Sequence, residues 1–332
     1  MDIQYLLWLQ TLRESLPPIV EQIFVVISAI AASSALIILP CLLYWVIDKR
    51  AGQFLVFTFS IGSFCNQLIK NTVSCYRPWI RSAEIAPSEG ALAEATGYSF
   101  PSGHVQASAS LIGATGYYYR KKHPVLNVLC WLFVIAVAFS RNFLGVHTPQ
   151  DIAVALVEAI VVVLLVGPLL DWVDRGKNRD VAVLVLTIVT FIAYIAYIVL
   201  KPYPMDYDAT GKLLVDPIEM QVDCFKSAGV LLGAIVGWFM ERRILDFEVD
   251  PHSPLLRKIV RIIMGLAVVA VLHLAPRALL LINLDTRWYE LIKNGLTVFG
   301  AAFVGPAVFC AIERRTGGSD TKRETRKAKH FK

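Results

Sequence analysis

Charge is scarce in this sequence: 17% of its 332 residues are Asp, Glu, Lys or Arg, while 56% are hydrophobic. Soluble domains carry closer to a quarter charged residues, so an ordinary water-soluble globule is excluded. The six cysteines show no metal-ligand spacing, which argues against a cysteine-built metal centre. Cys41, Cys65, Cys130 and Cys310 lie in apolar runs and read as packing residues. Cys75 and Cys224 fall in stretches read as loops on one face, which leaves a disulfide between them open. The opening residues MDIQYLLWLQTLRESLPP lack a basic start and a small-residue cleavage site, so no cleavable signal is expected. No internal repeat is present.

What the chain does have is long apolar runs separated by short polar breaks, with a mean hydropathy of +0.58. Runs of about 17–25 apolar residues span a bilayer as helices. About nine spans are expected, at residues 23–47, 52–69, 102–119, 124–139, 149–170, 181–200, 224–240, 259–282 and 291–312. Backbone polar groups at that depth must pair within helices, so the expected fold is all-α, a polytopic transmembrane helix bundle. Ahead of the first span, Ile3, Leu6, Leu7, Leu9 and Leu12 alternate with polar residues up to Pro17 and Pro18. Residues 1–22 therefore read as an interfacial amphipathic segment.

The chain is basic, with a formal net charge of +6 and a sequence pI near 9.0. In a membrane protein the position of the cations matters more than their sum, and no nucleic-acid partner is expected. Lys49, Arg50, Arg120, Lys121, Lys122, Arg175, Lys177, Arg179, Arg242, Arg243, Arg257, Lys258 and Arg261 fall on one side of the expected bundle. So does the basic tail, residues 313–332, a low-complexity run suited to a lipid surface. The positive-inside rule makes that side cytoplasmic. An odd number of crossings then puts the amino terminus outside or in a lumen, and the carboxyl terminus in the cytoplasm. Segment 81–100, with Glu84, Glu89 and Glu94, could cover a site. Residues 201–223 read as an external acidic loop with Asp206, Asp208, Asp216, Glu219 and Asp223.

Three polar groups stand at expected helix ends on the outer side. Lys70 and Arg77-Pro78 follow the second span, and Pro101-Ser102-Gly103-His104 opens the third. Ser140-Arg141, with His147-Thr148-Pro149-Gln150-Asp151, joins the fourth to the fifth. Phosphoryl transfer needs positioned cations and hydrogen-bond donors around the transferring oxygens. Lys70, Arg77 and Arg141 supply cations, and the planar arginine fork matches phosphate. Ser102 and Gly103 begin a helix whose free N–H groups favour an anion, and Gly103 leaves room for close approach. Thr148 and Pro149 read as the N-cap and first residue of the fifth helix. Asp151 can then hold one nitrogen of His147 and leave the other to attack. His104 would protonate the departing oxygen and later activate water. Singly, each feature is ordinary: a membrane-edge Lys or Arg usually snorkels, and Pro-Ser-Gly usually only starts a helix. One reaction uses all of them on one face.

The spacing is Lys, six residues, Arg-Pro; then Pro-Ser-Gly-His; then Ser-Arg, five residues, His, three residues, Asp. In this the chain resembles the type 2 phosphatidic acid phosphatase superfamily, with every signature position matched. The resemblance implies phosphate binding by Lys70, Arg77, Ser102, Gly103, His104 and Arg141. It implies His147 as nucleophile, Asp151 as its partner and His104 as the acid, with no metal or other cofactor. It also implies a six-helix phosphatase core over residues 23–200, leaving three additional helices at residues 224–312. Nine helices with an external amino terminus is similar to the glucose-6-phosphatase layout, and sphingosine-1-phosphate phosphatases are another comparable group. Likeness of fold does not transfer a substrate.

The expected function is hydrolysis of a lipid phosphate or diphosphate at the outer membrane face through phosphohistidine. The partners are a phosphorylated lipid and the bilayer. One alternative is a phosphatase for a small soluble phosphoester such as a sugar phosphate. Another is a non-enzymatic lipid transporter or scaffold carrying the same site. The related vanadium haloperoxidases hold vanadate in a similar constellation, but they are soluble. Outside the main site, Glu158 lies seven residues past Asp151 on roughly the same helical face. His273 and Arg277 share a face of the eighth span. Ionisable groups within a bilayer are functional candidates by default.

Overall fold

Proline sets where many of the helices begin: Pro18, Pro78, Pro124, Pro149 and Pro217 each stand in a first turn, where a missing N–H costs nothing. The computed structural model describes residues 2–315. In chain order it contains α1 (Asp2–Ser15), α2 (Pro18–Ala32), α3 (Ile38–Leu42), α4 (Lys49–Val73), α5 (Pro78–Arg81), α6 (Glu89–Leu92), α7 (Gly103–Ser108) and α8 (Ala114–Tyr119). Then follow α9 (Pro124–Phe143), α10 (Pro149–Asp174), α11 (Arg179–Leu200), α12 (Pro217–Met240), α13 (Leu255–Leu274), α14 (Thr286–Phe299) and α15 (Gly305–Arg315). A π turn, Ala109–Gly113, joins α7 to α8, and another, Gly300–Val304, joins α14 to α15. No β-strand occurs among the described residues, and the fold is all-α. Residues 316–332 of the expected basic tail lie outside the described residues.

Six described helices are long and apolar enough to cross a membrane: α9, α10, α11, α12 extended to Leu245, α13 extended to Ile282, and α14 run through to Arg314. The expected first span is instead a pair, bent by 46° between Ala31 and Ala35. Ser33 is extended there and its side chain accepts the Ala35 amide at 3.2 Å, a local bond that competes with the helix. The expected second and third spans are α4 and the joined α7–α8 helix. Neither is among those six: α4 is long enough but turns Thr58, Ser60, Asn66, Lys70 and Asn71 into the interior, and the joined helix covers only residues 103–119.

The expected acidic loop is shorter than the sequence suggested. α12 begins at Pro217 rather than at residue 224: Asp216 caps it by accepting the Ile218 amide at 2.8 Å, and Glu219 lies in its first turn. Carboxylates that read as a solvated loop are here helix-start residues. Cys224 is therefore buried inside α12, not in a loop. All six cysteines are free, so Cys75 and Cys224 do not pair.

The main core joins Phe54, Leu55 and Phe57 of α4 to Val162 and Val166 of α10, Tyr194 of α11, and Phe225 and Trp238 of α12. Lipid tails are as apolar as leucine, so close packing holds such helices together. α12 meets α14 where Gly229 and Gly233 sit on the backbone of Leu291 and Gly295, an approach that larger side chains would block.

Ion pairs gather at the end of α4 that begins with Lys49, about 37 Å from its other end at 1.5 Å per residue. Lys49 pairs with Glu241 at 2.8 Å, Arg50 with Asp171 at 2.7 Å, Arg243 with Asp180 at 2.5 Å and Arg261 with Glu313 at 2.7 Å. At the opposite end, α1 lays Leu6 and Leu9 on Ile85, Ala91, Phe143 and Leu144. Arg13 fastens it by donating to Phe143 O at 3.2 Å and Ala86 O at 2.5 Å. The buried face of α1 is thus used against protein, over the loops that carry the polar groups.

Candidate active site

The start of α10 builds the histidine site. Thr148 Oγ1 accepts the Asp151 amide at 3.4 Å, and Asp151 Oδ2 accepts the Thr148 amide at 2.8 Å. This capping box contributes about 1 kcal/mol to the helix start, and it holds the carboxylate where His147 needs it. Asp151 Oδ2 is 3.3 Å from His147 Nδ1. Ser99 donates to the same oxygen and stands 3.3 Å from Nδ1. Asn142 Nδ2 anchors the backbone of His147 by donating to its carbonyl at 2.8 Å.

The other ring nitrogen faces a cation. Nε2 lies 2.9 Å from Arg77 Nη1. A guanidinium can only donate, so Nε2 accepts on its lone pair and Nδ1 carries the ring proton towards Asp151. Burial, followed by the charges of Arg77, Arg141 and Lys70, holds the His147 pKa well below its ordinary value. The ring is therefore neutral, with its free lone pair on Nε2.

The three cations are not equivalent. Lys70 Nζ donates to Tyr98 O at 3.0 Å and Pro101 O at 2.7 Å. Arg77 donates to Gly97 O at 3.1 Å, Thr96 O at 2.7 Å and Val146 O at 3.0 Å. Both residues clamp segment 96–101 in place. Burial, with Arg141 nearby, lowers the Arg77 pKa to about 9. Arg141 differs: it is fully buried, Nη1 donates to Ser28 Oγ of α2 at 2.5 Å, and Nε and Nη2 have no hydrogen-bond partner. A buried guanidinium in that state is costly, and anionic oxygens would satisfy it.

Ser102 repeats the theme. It stands at the N-cap of α7, yet its side chain makes no capping bond, and its Oγ is buried without a partner. Its amide donates to Asp151 O at 3.1 Å, which fastens α7 to α10. Beside Gly103 the nearest heavy atom to a Cβ position is Asn66 Oδ1, 4.0 Å away, so the backbone there is approachable. His104 Nε2 lies 3.1 Å from Glu94 Oε2. Lys70, Arg77 and Arg141 are all within electrostatic reach of both His104 and His147. Every residue expected at the site is thus brought to one place, and Glu94 and residues 96–101 line it.

Sequence reasoning missed Ser99, Asn142 and Ser28, and it named Glu94 only as loop charge. Ser28 is 113 residues from Arg141, a contact with no local signal. Ser99 is close to Ser102 in the chain, but nothing in its spacing points to His147. Among the secondary candidates, Glu158 accepts a hydrogen bond from Asn66 at 3.0 Å. His273 meets Thr297 of α14 at 3.1 Å, and Arg277 is exposed in the 3₁₀ turn Ala275–Ile282.

A bundle with this many helices apolar and long enough to cross a bilayer is an integral membrane protein, and it holds a neutral histidine among buried cations. The model of the PAP2 superfamily matches residues 51–175, a stretch that contains every site residue from Lys70 to Asp151. The model of the PAP2 superfamily phosphatase, transmembrane extension, matches residues 225–316. Together they span well over half of the chain, and the chain belongs to the PAP2 superfamily. No curated protein and no solved structure matches it.

Proposed function

We propose that this chain is a metal-independent membrane phosphatase that hydrolyses a lipid phosphate or diphosphate through a phosphohistidine at His147. One observation carries the reading: the open guanidinium of buried Arg141 accompanies a neutral His147 whose Nδ1 proton faces Asp151. Phosphate oxygens take Arg141 Nε and Nη2 together with Ser102 Oγ, and Arg77 turns from Nε2 to join them. The Nε2 lone pair forms an N–P bond as the P–O bond to the leaving group breaks. His104 gives its proton to the leaving oxygen. Asp151 supports the positive charge that develops on the ring. Water then attacks phosphorus, His104 takes its proton, and the N–P bond breaks to free phosphate and restore the ring. Preorganised donors of this kind usually supply the largest share of catalysis, and a positioned acid–base adds about 10²–10⁴-fold.

Metal independence is supported by the donor set: Lys70, Arg77 and Arg141 outnumber the histidine-bound carboxylates Asp151 and Glu94, and the excess positive charge repels a divalent ion. The lipid assignment is supported by the apolar helices beside the site, which let a tail remain in the bilayer while the phosphate meets the helix ends. The proposed topology has nine crossings, with the site and amino terminus outside or lumenal. It is supported by the gathering of Lys49, Arg50, Arg243 and Arg261 at the end of α4 away from Lys70.

The test is phosphate release by purified protein from a panel of lipid phosphates, lipid diphosphates and sugar phosphates, with and without a chelator. Turnover of lipid substrates that survives chelation is expected. Turnover confined to soluble phosphoesters, or abolished by chelation and restored by a divalent ion, would overturn the corresponding part.

A further inference from the structure

One turn before Lys70, α4 buries Asn66, which is 1% exposed and which the proposed reaction does not use. Its partner is Glu158, on α10 beyond Asp151. Asn66 Nδ2 donates to Glu158 Oε2 at 3.0 Å, which turns Oδ1 the other way. That oxygen is buried and has no hydrogen-bond partner. It is the heavy atom nearest to a Cβ position on Gly103, at 4.0 Å, and Gly103 adjoins His104. An acceptor without a partner therefore lies on the Cβ side of Gly103, next to the residue that would protonate the leaving group.

Phosphate oxygens would be repelled by such an atom, and a plain hydrocarbon would leave it unsatisfied. A hydrogen-bond donor on the substrate satisfies it. We propose that Asn66, oriented by Glu158, selects phosphoesters with a hydroxyl or amine on the carbon next to the esterified one, over phosphoesters of plain hydrocarbon chains. The inference rests on the phosphatase reading above. Asn66 is the residue that contacts the donor. Glu158 is a positioning residue: its Oε2 accepts from the Asn66 amide nitrogen, so that oxygen rather than NH₂ points to Gly103. A glutamine at position 158 offers either polarity and frees the amide to turn.

The experiment uses the purified full chain in detergent and two single-chain lipid phosphates that differ only in that hydroxyl. The readout is the ratio of their kcat/KM values, which does not depend on the fraction of folded enzyme. Wild type is expected to favour the hydroxyl compound by about tenfold or more. N66A and E158Q are expected to bring the ratio towards one, and nearly isosteric E158Q carries the test if N66A does not fold. A wild-type ratio near one overturns the proposal, as does a preference that survives in the folded variants. Absence of phosphate release from both compounds by wild type instead overturns the phosphatase reading, and this proposal with it.

Discussion

Arg77 Nη1 lies 2.9 Å from His147 Nε2, so a cation rests on the nitrogen that the proposed reaction uses to attack. The same guanidinium holds three carbonyls of the surrounding loops. A point charge cannot do both tasks, because only the planar fork reaches several acceptors at once. R77K is therefore expected to lower kcat/KM by about 10²-fold, although the charge is kept. Wild-type turnover in R77K would show that the fork is not needed.

Arg141 is expected to show the opposite balance between stability and function. Its unpartnered buried nitrogens are a cost in the ligand-free protein. R141M should melt at the same temperature as wild type or higher. It should also lose the rise in melting temperature that inorganic phosphate gives wild type by binding the folded state. The measurement is a thermal melt in detergent across phosphate concentrations. Equal stabilisation of both proteins by phosphate would remove Arg141 from the site.

His147 gives a pH dependence of defined sign. Its folded pKa is held well below the ordinary value by burial and nearby cations, whereas an unfolded chain takes up that proton near pH 6.5. The unfolded state then binds more protons. The contribution to stability is full above about pH 6.5 and is lost as pH falls from there towards the lowered folded value. Unfolding midpoints between about pH 4 and 7.5 should fall more steeply for wild type than for H147Q. Parallel curves would contradict a histidine held neutral by the fold.

The proposed topology separates Trp8 from His252. Both are exposed, one on α1 and the other in the connection before α13. In a cysteine-free background, W8C should react with a membrane-impermeant maleimide from outside intact cells or sealed organelles, while H252C should react only after permeabilisation. Labelling of both from one side would contradict an odd number of crossings between them.

Much of this site is legible in sequence because its parts are local. His147, Thr148 and Asp151 lie within one helix start, and their capping chemistry reads directly from residue type. Lys70 and Arg77 flank a single helix end. Ser99 and Ser28 are not legible, since they meet His147 and Arg141 only through tertiary contacts. The unequal use of the cations is likewise hidden, because backbone carbonyls of residues 96–101 decide it. In the fold, the apolar runs of α9 to α11 mark their helices plainly. Asp216 and Glu219 misled because the same residues suit a solvated loop and a helix start. α4 reads as one more span, although its buried polar side is what brings Asn66 and Lys70 to the site.

The most direct test of phosphoryl transfer through His147 is to trap the intermediate. H104Q would be mixed with a phosphate-labelled aryl phosphate, whose good leaving group needs little help from an acid, and then quenched in alkali. If His104 activates the water, an alkali-stable, acid-labile label should accumulate on His147 in H104Q. Wild type should show little of it, and a variant that also carries H147Q none. A label that maps to another residue, or that persists in the H147Q variant, would contradict His147 as the nucleophile.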